Sequence, residues 1–176
     1  MERARDPLIR PERAEDARAV WTVHEAAFGR PDEARLVARL RQEARPCVSL
    51  VAERAGRAIG HVFFSPVTIE GDAGAPPAGG LAPVGVLPDE QARGAGSALI
   101  RAGLEASRTL GWELLFVLGN PAYYGRFGFV LAAPHGLHYE RSAFDAAFQV
   151  QELAAGALAR ARGWARYHPA FTELPA

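Results

Sequence analysis

The sequence predicts an α+β fold, a mixed α/β arrangement in one domain, and three observations carry that prediction. An amphipathic helix pair fills residues 11–44, and two β-branched and aromatic runs joined by a tight turn follow it, the pattern of an antiparallel hairpin. Residues 81–119 then read strand, glycine turn, helix, strand; such a unit closes as a right-handed crossover and lays its two strands parallel. Finally, 176 residues of which 49% are hydrophobic close one sizeable core and leave too little chain for two ordinary domains. The expected molecule, residues 1–176 as a single domain, has a mostly antiparallel central sheet with one parallel pair splayed apart and helices on both faces.

Each element has its own justification. Residues 1–7 are expected to be disordered. PERAEDARAVWTVHEAAF reads as a helix, because Pro11 and the acids Glu12, Glu15 and Asp16 suit a first turn. Val20, His24, Ala27 and Phe28 then share one stripe. Gly29 breaks it, and GRPDEARLVARLRQEA starts again at Pro31 with Glu33, Leu36, Val37 and Leu40 on a common face. CVSLVAE and AIGHVFFSPVTI, separated by Arg54 to Arg57, are the hairpin strands. GDAGAPPAGG is a loop by composition. In GLAPVGV, Pro83 cannot donate to a ladder and Gly85 weakens pairing, so this strand should carry a bulge or edge irregularity.

SALIRAGLEASRTLG places Leu99, Gly103, Leu104, Ser107 and Leu110 inward and stops at Gly111. Gly103 costs about 1 kcal/mol against alanine, tolerable if it lets helix and sheet approach closely. WELLFVLG is a strand, NPAYYGRFGF a turn with a short helical piece, and FVLAA the next strand. The tail suggests strands at Phe148 to Leu153 and Trp164 to His168, with a turn or short helix between them.

Composition removes several function classes. Basic and acidic residues balance at 20 each, so no charge excess argues for nucleic acid or an anionic membrane. Every basic residue is Arg, which excludes a P-loop lysine, a Schiff-base lysine and autoacetylation on lysine side chains. The single Cys47 permits neither an internal disulfide nor a cysteine-built zinc site and reads as packing. His135, His138 and His168 lack the spacing of a metal site, and none is expected. With no signal-peptide pattern and no window apolar enough to span a bilayer, the expected location is the cytoplasm.

The stretch VLPDEQARGAGSALI from Val86 puts Gly94 and Gly96 where a helix should start. A dinucleotide fingerprint fails, since the third glycine position is Leu99 and the next strand ends LGN; a Walker loop fails for want of lysine. What survives is an anion cradle of backbone N–H groups at a helix N-terminus. Val86, Pro88, Gln91, Arg93, Gly94 and Gly96, with the later NPAYYGRFGF, resemble the GCN5-related N-acetyltransferase superfamily. LAPVGVLPDEQARGAG, VLGNPAYYGRFGF and the tail GWARYHPAF look more narrowly like its YhbS-like branch, a resemblance running from Leu8 to Phe171.

The resemblance implies acetyl-CoA as co-substrate, with its pyrophosphate on the amides of Gln91, Ala92, Arg93, Gly94, Ala95, Gly96 and Ser97. By the same resemblance, Val84, Gly85 and Val86 lie along the pantetheine arm, Tyr124 protonates the departing thiolate, and Asn120 bonds the arm. NPAYY is shorter than the usual segment, which cuts down the helix there. Tyr123, its neighbour, reads as packing. The general base is less defined, because LAPVGV carries no acid. His24, Glu33 and His61 are the candidates, His24 and Glu33 on helix faces bordering the acceptor pocket. The expected function is N-acetylation of a primary amine, from a small molecule or a protein terminus or side chain, by direct attack in a ternary complex. Two alternatives stand beside it: acyl carrier protein as donor, with Arg93 and Arg126 at the mouth, and a non-catalytic acyl-CoA sensor. The superfamily also makes a homodimer an expectation.

Overall fold

The computed structural model describes residues 6–71 and 74–173. Its strands are β1 (Leu8–Pro11), β2 (Val48–Arg54), β3 (Arg57–Glu70), β4 (Ala78–Val86), β5 (Leu114–Leu118), β6 (Val130–Leu131), β7 (Leu137–Tyr139), β8 (Phe148–Glu152) and β9 (Gly163–Arg166). The α-helices are α1 (Ala17–Phe28), α2 (Asp32–Glu43), α3 (Ala95–Thr109) and α4 (Pro121–Tyr124). The main sheet runs β1-β2-β3-β4-β5-β8-β6. Its one parallel pair is β4 with β5, as the crossover motif requires. The long β3 also pairs with β9 at its far end, and β9 lies parallel to β7 in a side ribbon.

Alternation on β3 divides the core. Val62 and Phe64 point to α3, where they join Leu99, Ile100 and Leu104; Phe63 points the other way, to Val20 of α1 and Leu36 and Leu40 of α2. A third cluster under the C-terminal half is built on Phe116, Phe148 and Leu137. Gly103 sits where α3 meets the sheet: a Cβ there would lie 2.1 Å from Phe64 Cζ, so the close approach expected of it is real. The bulge expected in β4 is present, with Ala82 and Pro83 together opposing Phe63 between the pairs Val62 with Val84 and Phe64 with Leu81.

Four expectations need correction. The first helix begins at Ala17, after a single 3-10 turn at Ala14–Asp16, and Pro11 belongs to strand β1. An edge strand tolerates that proline, and Arg10 ties the strand to Glu53 and Asp16 through its guanidinium. β4 begins at Ala78, inside the expected loop. Gly79 and Gly80 are strand because rings occupy their side-chain space: Cβ atoms there would lie 2.3 Å from Trp112 Cε3 and 2.3 Å from Tyr167 Cε1. Leu110 is exposed at the end of α3 rather than inward. β7 was not anticipated, being three residues whose pairing depends on a distant β9. Of the segment expected to be disordered, residues 1–5 lie outside the described residues, while Asp6 and Pro7 lead into β1.

Candidate active site

The turn from β4 into α3 is built to present backbone N–H groups. Gln91 Nε2 donates to the carbonyl of Val86 at 3.0 Å and closes the loop on itself. Ala92 and Gly94 take positive φ, 58° and 89°, a conformation costly for most residues and free for glycine. α3 starts without a side-chain cap, and the first backbone bond into it runs from Ala98 N to Gly94 O. The preceding amides of Ala95, Gly96 and Ser97 therefore have no partner within the helix, and the helix dipole lies behind them.

A groove of about 430 Å³ opens at these amides, lined by Val84, Val86, Gln91, Ala92, Gly94 to Ser97, Glu90, Tyr123 and Arg126. The acid there is neutralised, since Glu90 pairs with Arg54. Arg126 lies over the Tyr123 ring at 4.5 Å and donates from Nε to the Tyr123 carbonyl at 3.2 Å, which holds a guanidinium at the groove wall. Arg93 is outside the lining and lies 3.8 Å from Glu90. Asn120 lies outside it too; its Oδ1 accepts from Ala122 N at 2.9 Å and caps α4.

β4 and β5 pair only at Ala78 to Gly80 against Leu114 to Phe116, and beyond that they part. Val84, past the fork, borders both the groove and a second cavity of about 520 Å³. That cleft is walled by Phe28, Glu33, Leu118, Tyr124, Tyr139 and Tyr167, among others. The adjacent tyrosines are thus divided: Tyr123 faces the groove and Tyr124 the cleft, their rings edge to face at 5.1 Å. Burial pushes the Tyr124 phenol up to about 12, so it stays protonated at neutral pH. Glu33 is buried in the cleft wall and accepts from Arg30 Nη2 at 2.7 Å.

His24 and His61 lie in neither cavity; both are fully buried and belong to one chain of hydrogen bonds. Arg41 and Ser49 both donate to Glu12, whose carboxyl is held down to about 2 despite its burial, with His61 Nε2 nearby at 3.7 Å. An ionised Glu12 only accepts, so the Ser49 proton points to it, and Ser49 Oγ accepts from His61 Nε2 at 2.8 Å. Burial keeps both imidazoles neutral, His24 down to about 3. His61 Nδ1 is then bare and accepts from His24 Nε2 at 2.8 Å. The last atom of the chain, His24 Nδ1, carries a lone pair with no hydrogen-bond partner among the described residues. It faces Gly85 of β4, where a Cβ would lie 3.0 Å away.

A family model described as an acetyltransferase (GNAT) domain matches residues 8–132. The chain belongs to the GNAT acetyltransferase family. It is 39% identical, over 95% of its length and 99% of the other's, to the Escherichia coli protein named uncharacterized N-acetyltransferase YhbS. It is 43% identical over 116 residues to the uncharacterized N-acetyltransferase YjhQ of the same bacterium, a match spanning 65% of this chain and 64% of YjhQ. The crystal structure of Escherichia coli YhbS in complex with CoA superposes with a TM-score of 0.90 at 34% identity, covering 99% of this chain and 97% of that one. A GNAT family acetyltransferase from Brucella melitensis in complex with acetyl-CoA matches with a TM-score of 0.75 at 37% identity, over 94% and 97% of the two chains. Across that superposition this GNAT acetyltransferase carries its mixed main sheet with the parallel pair β4 and β5.

Two of the groove and cleft residues had little signal in the sequence. Tyr123 looked like packing, and only the ring of Arg126 contacts reveals its place on the groove wall. Tyr167 falls in the expected last strand, Trp164 to His168, with nothing to mark it for the cleft, and its approach there depends on Gly80 having no side chain. Among the described residues no three metal-ligating side chains gather, and no helix is long and apolar enough to cross a membrane.

Proposed function

We propose that this acetyltransferase moves an acetyl group from acetyl-CoA to a primary amine by direct attack. The observation that carries the reading is the meeting of groove and cleft at Val84, where β4 and β5 part beside an uncapped helix N-terminus. The pyrophosphate lies on the amides of Ala95, Gly96 and Ser97, with Gln91 holding the loop and Arg126 adding charge at the wall. The pantetheine arm follows β4 past Val86 to Val84, and the thioester sits in the fork. An amine in the cleft attacks the carbonyl carbon; the C–N bond forms, the C–S bond breaks, the amine loses a proton, and the thiolate gains one.

Glu33 is placed in the cleft wall to take the amine proton, directly or through water, once Arg30, which is half exposed, swings aside. Tyr124, protonated and bordering the same cleft, donates its phenol proton to the leaving thiolate. His24 has no such access. It backs Gly85 from the α1 side, and its role is to position the strand that orients the acyl group.

The test combines calorimetry with acetyl-CoA and a free-thiol assay over a panel of amines. Gly94→Val forces a branched residue to a φ of 89° and should weaken acetyl-CoA binding by about 10-fold or more. Tyr124→Phe should leave that affinity within about twofold and lower turnover by about 100-fold. Unchanged binding in Gly94→Val removes the pyrophosphate assignment; a loss confined to affinity in Tyr124→Phe removes the acid.

A further inference from the structure

The cleft on the acceptor side has a chemistry that narrows which amine enters it. Of its lining side chains only Arg30 and Glu33 are formally charged, and they pair with one another at 2.7 Å. Among the described residues no second acid lines the cleft, and Glu140 beside it is engaged with Tyr139. The rim is apolar: Phe28 and Leu118 line the opening and are each 41% exposed, large side chains that a helix or strand would otherwise turn inward. Tyr139 and Phe171 continue that surface. One polar atom stands in it unsatisfied, since the Tyr167 hydroxyl is buried with no hydrogen-bond partner among the described residues.

We infer that the acceptor is a small monoamine with an apolar or aromatic body, carrying a neutral oxygen for the Tyr167 hydroxyl. The inference deepens the acetyltransferase reading and rests on it for the reaction, though not for the binding. A polyamine or a lysine-rich peptide would bring extra ammonium groups against apolar walls with no counter-charge, and desolvating them is costly. A monoamine places its single charge on Glu33 and leaves the rest of the molecule to Phe28, Leu118 and Tyr139. A volume of about 520 Å³ falls within the range of small-molecule sites. The apolar walls also favour the uncharged amine, the form that attacks the thioester.

Calorimetry on the whole chain, with and without CoA, tests this using 2-phenylethylamine, tyramine, spermidine and a lysine-containing peptide. The two aromatic amines should bind at least about 10-fold more tightly than spermidine or the peptide, and Leu118→Asp, which supplies the missing counter-charge at an apolar wall, should erase that advantage. Tyramine should exceed 2-phenylethylamine by about fivefold, a margin lost in Tyr167→Phe. Equal or tighter binding of spermidine or the peptide overturns the monoamine assignment. A tyramine preference that survives Tyr167→Phe, or is absent from the start, overturns the role of the phenol. Failure of CoA to bind would count against the acetyltransferase reading alone, because the amine titrations without CoA still decide the cleft.

Discussion

A single serine proton orders two imidazoles. Because Glu12 is held ionised, Ser49 must donate to it, and each ring in turn must carry its proton on Nε2. Long-range 15N–1H spectra should therefore show bare Nδ1 atoms in both His24 and His61, and Ser49→Ala should release that order into mixed tautomers. A protonated Nδ1 on His24 in the native protein would break the chain as assigned. The same scale separates what the sequence could and could not say about the site. Gly94 and Gly96 are legible because a positive φ and free amides are local properties of a turn. His61 is legible as a strand histidine and a candidate base but not as a member of this chain, since its partners Ser49 and His24 come from segments 12 and 37 residues away.

At the scale of elements, glycine marks close approach rather than flexibility in this fold. In α3, Gly103 lets the helix settle against Phe64, and Gly79 and Gly80 admit the rings of Trp112 and Tyr167 over β4. Helix α3 was readable because its apolar spacing and its glycine stop are local. The start of β4 was not: Ala78 to Gly80 have loop composition, and only rings from α3's end and the tail explain why they are strand. Gly103→Ala makes the argument quantitative. The added methyl gains about 1 kcal/mol of helix propensity, but it would sit 2.1 Å from a fully buried ring, and overpacking of that kind costs about 1–3 kcal/mol. A net loss of up to about 2 kcal/mol in urea unfolding is expected; a gain would mean that Phe64 has room to retreat.

At the scale of the whole molecule, the chain from Arg41 on α2 to His24 on α1 by way of β2 and β3 ties the α1–α2 layer to the sheet, and this sets how the protein responds to acid. Periodicity foretold the layers, and the glycine turn foretold the parallel pair, because both follow from patterns within one stretch of chain. No local pattern foretold which buried groups would meet between the α1–α2 layer and the sheet. Both histidines have lowered pKa values in the folded state, His24 down to about 3 from 6.5. Glu12 is down to about 2 from 4.5, and Asp16, bonded by Arg10, to about 2 from 3.8. In every case the unfolded chain binds the proton first, so stability is fully present above about pH 7 and is lost as pH falls. The loss begins near 6.5 through the histidines, at up to about 1.4 kcal/mol per pH unit for each ring still neutral, and deepens below 4.5 as the carboxylates join. Urea midpoints measured from pH 8 to pH 5 should be level at first and then drop, with the bend near 6.5. In His24→Phe the bend should be shallower, because one of the two rings that resist protonation is gone. A flat profile to pH 5 would mean that the buried pair can take a proton without unfolding the layer between α1 and β3.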